Sequence, residues 1–138
     1  MGTPAGGKAL AKLGLSEGHV VQEIGYDDDV DHDFRYEIED LVGSELEDED
    51  FTGAADAVLL WWRDGDGDLV DALVDALTNL AEGGSIVLGT PKAGRSGEVD
   101  ASEVEESART AGLHTSGMVS VGSDWSASRL VAPKGSRR

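Results

Sequence analysis

Apolar positions recur along this chain in two rhythms. In "DDDVDHDFRYEIEDLVG" (27–43), Val30, Phe34, Ile38, Leu41 and Val42 fall three or four residues apart. That spacing predicts a helix with one apolar face. Acids crowd its first turn, where the helix dipole favours them, and Gly43 is a natural stop. The stripe Leu69, Leu73, Leu77, Leu80, widened by Val70 and Val74, predicts a helix over 69–81 with Asp68 as its N-cap. A third helix is expected from Asp100, with Glu103 in capping-box spacing and Gly112 ending it.

Between the helices the apolar residues run together. "HVVQEIGYD" (19–27) reads as a strand ended by Gly25. "AVLLWWR" (57–63) and "GGSIVLGT" (83–90) read as strands buried on both faces, as in a parallel sheet. "LHTSGMVSV" and "DWSASRLVA", joined by a turn at "GSD", read as an antiparallel hairpin. The expected order is β-α-β-α-β-α-β-β. It predicts an α/β fold: a small, open, mostly parallel sheet of about five strands, with helices on both faces and a C-terminal antiparallel hairpin.

Residues 1–15 read as a flexible tail and a short helical lead-in, with Leu10, Leu13 and Leu15 available to dock. Residues 16–133 form a single domain, and 134–138 a tail. Segments 44–56 and 91–99 are expected connectors.

Composition narrows the function classes. The chain has 28 acids against 11 Lys and Arg, a net charge of −17. Such a surface repels nucleic acid and anionic membranes. There is no cysteine, so disulfides and thiolate metal sites are excluded. The longest apolar run, Ala57–Trp62, is far short of a membrane span, and no signal peptide pattern opens the chain. A cytoplasmic location is the expectation.

The stretch "DAVLLWWRDGDGDLVDALVDALTNLAEGGSIVLGTPKAGR", with "TAGL" and "DWSASRLVAPK" after it, resembles the actinobacterial domain-of-unknown-function family DUF3052. That family name implies no activity. From Ala57 onward the order of elements also resembles the C-terminal half of class I S-adenosylmethionine-dependent methyltransferases, and "GLSEGHVVQEIGYD" is similar to their first strand. The resemblance implies a methyltransferase-like, Rossmann-like sheet with cofactor bound on a glycine-rich loop after that strand. Here the loop reads "GYDDDVD", with one glycine and three consecutive aspartates. The segments matching the next two strands of that fold, with the ribose-binding acid, are missing. The resemblance therefore implies a reduced fold that has lost its cofactor loop.

In open α/β sheets, ligands bind beyond the C-terminal ends of the parallel strands. Those ends carry Tyr26 and Asp27, then Trp62 and Arg63, then Thr90, Lys92 and Arg95, so any ligand or partner site is expected to gather these residues. Trp61 and Trp62 are adjacent on a strand and must point to opposite faces, so they cannot stack on one ligand together. Asp64, Asp66 and Asp68 have the 1-3-5 spacing of a calcium loop. Leu69 and Asp75 stand where that loop needs glycine and glutamate, so a solvated turn is the better reading. The aspartates 27–33 could hold a cation, but a helix N-terminus explains them without one. His19, His32 and His114 show no ligand spacing, and His32 is expected to face solvent. In "GTPKAGR", Lys92 and Arg95 beside accessible glycine backbone suggest an anion-holding loop.

No catalytic, cofactor or metal residue is assigned, and no cofactor is expected. The reading is a non-enzymatic binding or regulatory module. The alternative is a diverged enzyme or small-molecule binder that keeps a site at the strand ends. The expected partners are an unknown protein or a small molecule. A further option is a second copy, paired through the exposed hairpin edge.

Overall fold

The computed structural model describes residues 6–132. Its elements run α1 (Gly6–Lys12), β1 (Val21–Ile24), α2 (His32–Val42), β2 (Ala55–Trp61), α3 (Leu69–Leu77), β3 (Leu80–Pro91), α4 (Ala101–Thr110), β4 (His114–Val121) and β5 (Trp125–Val131). One five-stranded sheet forms in the order β1-β2-β3-β5-β4. β1, β2 and β3 are parallel neighbours, and β5 pairs antiparallel with both β3 and β4.

Alternation along the strands divides the core into two layers. Val21, Leu59, Trp61 and Val87 point to one face, under Leu10, Leu13 and Leu15 of the lead-in and Phe34, Ile38 and Val42 of α2. Val58, Leu60, Trp62 and Leu88 point to the other, under Leu69 and Leu73 of α3 and Val104 and Ala108 of α4. The apolar runs of β2 and β3 thus follow from helices on both sides. The two tryptophans part as expected, Trp61 into the first layer and Trp62 into the second. Trp61 sits edge-on between Phe34, 6.1 Å away, and Trp125, 4.8 Å away.

Local signals held at several ends. Asp31 caps α2 by accepting from the Phe34 amide, and Gly43 closes it in the left-handed region. Asp68 caps α3 by accepting from the Asp71 amide.

Other boundaries moved. β2 starts at Ala55 and ends at Trp61, which leaves Arg63 on the following turn. α3 stops at Leu77, because the next residues enter the sheet: the Asn79 carbonyl accepts from the Ala55 amide, and Leu80 pairs with Ala55. Leu80 therefore belongs to β3, not to the helical stripe, and β3 runs well beyond 83–90. Asp100 makes no side-chain cap bond, so the capping box on α4 does not form. No helix among the described residues is long and apolar enough to cross a membrane.

Candidate functional site

The C-terminal ends of the parallel strands form a crown with Arg63 at its centre. Its guanidinium makes two bonds to the Asp29 carboxylate, at 2.5 and 3.0 Å, and a third to the Gly25 carbonyl at 2.9 Å. It lies over the Trp125 ring, 5.3 Å from its centre, and the Trp125 indole N–H donates to the Asp29 carbonyl at 2.9 Å. Arg63 thus ties the loop after β1 to the turn after β2 and to the start of β5. The Arg63 guanidinium holds the Asp29 carboxyl below the usual carboxylate range, and the same pairing raises Arg63.

The predicted residues do not converge on one place. Arg63 and Arg95 line a shallow cleft with Asp29, Asp64 and Asp124. Thr90 and Lys92 line a different groove, between α4 and the hairpin, with a volume of about 540 Å³. Tyr26 stands 48% exposed outside both, with the Arg35 guanidinium 4.8 Å from its ring centre and His32 against its edge. His32 is therefore half-buried rather than solvent-facing. Asp27 is exposed and accepts from the Asp28 amide. Trp62 is buried under α3 and lines neither cavity.

The bases of the "PKAGR" loop are engaged with the hairpin turn. Lys92 Nζ donates to the Gly122 carbonyl at 3.0 Å, and Arg95 pairs with Asp124 at 3.2 Å. The Gly94 amide is held by the Glu98 carboxylate at 3.1 Å. These bonds engage some of the donors that an anion would use, and the Arg95 side chain stays 54% exposed. In the acidic turn after β2, Asp66 accepts from the Arg63 amide while Asp68 caps α3. Among the described residues no group of three metal-ligating side chains comes together.

Sequence reasoning missed the most buried charge. Glu23, 6% exposed on β1, accepts from Arg35 of α2 at 2.6 and 2.8 Å and from the Trp61 indole N–H at 2.9 Å. An acid inside the apolar run "VVQEI" was the available signal, since a buried acid requires a partner. The pairing raises the Arg35 guanidinium pKa.

Comparison with known proteins places the chain. The model of a family described as "Protein of unknown function (DUF3052)" matches residues 10–134. The chain belongs to the DUF3052 family. An uncharacterized protein of Mycobacterium tuberculosis H37Rv is 54% identical over 123 residues, covering 89% of this chain and 77% of that protein. One from Mycobacterium bovis matches to the same extent.

Among solved structures, a SAM-dependent methyltransferase from Aquifex aeolicus superposes with a TM-score of 0.60 at 12% identity, covering 91% of this chain and 88% of that one. A SAM-dependent methyltransferase from Thiobacillus denitrificans, solved with S-adenosyl-L-homocysteine, gives 0.58 at 13% identity, covering 95% and 92%. Identities this low establish the fold and nothing further. The DUF3052 chain therefore has a methyltransferase-like sheet, in agreement with both resemblances read from its sequence.

Proposed function

We propose that this DUF3052 protein is a binding or regulatory module, with no methyl transfer of its own, on a methyltransferase-like sheet whose cofactor crevice is filled by its own side chains. The observation that carries the reading is the Arg63 clamp, which spans from the loop after β1 to the turn after β2. S-adenosylmethionine needs close approach to backbone at that loop. The loop instead presents Asp27, Asp28 and Asp29, with the Gly25 carbonyl and the Asp29 carboxylate both occupied by Arg63. Gly25 itself serves packing: with φ at 85°, a Cβ there would lie 2.3 Å from the Trp61 carbonyl oxygen. These residues do not fit the cofactor.

Titration calorimetry with S-adenosylmethionine and S-adenosylhomocysteine tests the reading. The expected result is no heat up to about 1 mM ligand. A dissociation constant below about 100 μM, roughly −5.5 kcal/mol, overturns it.

A second reading, a small-molecule binder, is favoured by the groove at the end of β3. Its volume of about 540 Å³ falls in the range of ligand sites. Thr90 and Ser128 line it at 9% and 8% exposure, and neither side chain makes a hydrogen bond among the described residues. Val99, Val104 and Pro91 give it apolar walls, while Glu98, Asp100 and Glu105 outnumber Lys92 and disfavour anions. The chemistry fits an uncharged or cationic ligand with a polar group reaching Thr90 and Ser128. A fragment library followed by amide chemical shifts would test this. Hits should cluster on Thr90, Val104, Ser126 and Ser128. Hits clustered on Gly25–Asp29 would count against both readings.

A further inference from the structure

We infer that the protein pairs with a second copy of itself through the outer edge of β4, extending the sheet antiparallel across a two-fold axis. β4 lies last in the sheet, with β5 on one side only. Among the described residues, none of its backbone groups bonds to anything beyond that neighbour. α1 does not close the edge. It lies over one face, where the Lys12 carbonyl comes within 3.5 Å of a Cβ placed on Gly117. β4 shifts register between Thr115 and Gly117, so the regular run 117–121, with its free edge, is the template for strand addition.

The side chains choose the occupant. Exposed edges are commonly guarded by charge. β4 reads "HTSGMVSV", without an acid or a lysine, and Met118 stands 61% exposed on it. From Ser107 to the end of the chain, Asp124 is the only acid, although the whole chain has 28. Two copies of a chain carrying −17 repel over most of their surfaces. Meeting at β4 places one acid-free strand against another, with Glu98, Asp100 and Glu105 confined to the groove on one face beside Thr115 and Met118. A two-fold axis gives each strand an antiparallel mate with the same uncharged side chains, which is an isologous contact. An acidic partner finds no row of bases on β4, and a basic partner finds no acids there.

Sedimentation equilibrium of the full chain at 10–200 μM, in 0.15 M and 1 M NaCl, tests the inference. The expected result is a reversible dimer that tightens with salt, because screening removes the repulsion between the acidic bodies. Met118→Asp should raise the dimer dissociation constant about ten-fold or more, by placing like charges across the pair. Ser120→Asp should do the same, so the test survives if one variant folds poorly. Val74→Asp, on exposed α3, should leave the dimer unchanged. Circular dichroism and the unfolding midpoint should match the parent in each case. A chain that stays monomeric at 200 μM in both salts overturns the inference. So does a dimer that a folded Met118→Asp or Ser120→Asp variant leaves intact.

Discussion

The two edges of the sheet solve the same problem differently. At β1, the connector after α2 comes back alongside the strand. The Glu23 amide donates to the Glu47 carbonyl at 2.7 Å, and the Glu47 amide donates to the Val21 carbonyl at 2.8 Å. Gln22, buried at 3%, reaches the carbonyls of Asp48, Glu49 and Phe51, and Asn79 adds a bond to Phe51. Acids fill the connector's outer surface. At β4 there is neither a covering segment among the described residues nor an acid. A short strand with its ladder satisfied and its cover charged cannot recruit another strand. A long, uncharged strand with open backbone can. The difference teaches that negative charge here is distributed, not uniform: it seals one edge and leaves the other available.

The contrast can be broken most severely at Trp61, which joins the two halves by packing between Phe34 and Trp125. Trp61→Ala should cost about 3–5 kcal/mol, as for other large buried aromatics. A loss below about 1 kcal/mol in a urea titration would mean that the aromatic row does not unite the sheet.

Glu23→Ala comes next. It strips Arg35 and the Trp61 indole N–H of their acceptor at once. Breaking a buried pair from one side costs about 3–5 kcal/mol. The Arg35 side chain is 19% exposed and can recover some water, so about 2–4 kcal/mol is expected. A variant as stable as the parent would show that the β1 edge does not depend on its buried charge.

A milder break tests the cover itself. Glu47→Pro removes the amide that bonds to the buried Val21 carbonyl. The expected cost is about 1–3 kcal/mol, that of an unsatisfied buried group. The opened edge should also associate with rising concentration, which light scattering would detect. By contrast, Ser120→Asp on β4 should change monomer stability by no more than about 0.5 kcal/mol, because its side chain is exposed and makes no hydrogen bond among the described residues. If Glu47→Pro proved equally silent, the two edges would not differ in kind.

What could be read from the sequence was whatever depends on local spacing. The stripe through Phe34 and Ile38 and the split of Trp61 from Trp62 follow from a period of 3.6 or 2, and the cap at Asp68 and the stop at Gly43 follow from residue type at a helix end. The end of α3 could not be read that way. Leu77 and Leu80 fit the helical stripe, and only the pairing of Leu80 with Ala55, a contact between distant segments, overrides it. The partners of the candidate site residues were hidden for the same reason. Lys92 and Arg95 look free along the chain, and the hairpin turn that engages them lies some thirty residues further on. The Glu23–Arg35 pair joins a strand to a helix across the first layer, which no short window contains.

The smallest effect expected concerns the price of crowding acids on the β1 side. Glu37 lies half-buried on α2, and burial, reinforced by Asp31 and Asp33, raises its pKa above the ordinary glutamate value. The folded state therefore holds the Glu37 proton more tightly than the unfolded chain. Its favourable contribution is complete below the unfolded value and is lost as pH rises through the folded one. At pH 7 the charged carboxylate is a small liability. Glu37→Gln should then stabilise the protein by about 0.3–0.5 kcal/mol at pH 7, a typical size for a surface change. The gain should vanish below about pH 4, where Glu37 is already protonated. Asp29 supplies a control of opposite sign. Its pKa is lowered by Arg63, so Asp29→Asn should lose stability at pH 7, and that loss should fade as pH falls through the lowered value. Urea midpoints for both variants and the parent at pH 7 and pH 4 would decide the matter, with the Asp29→Asn loss still present at pH 4 because the lowered value lies below that pH. Should Glu37→Gln give the same gain at both pH values, the benefit would come from helix propensity, and acid crowding on the β1 side would carry no measurable cost.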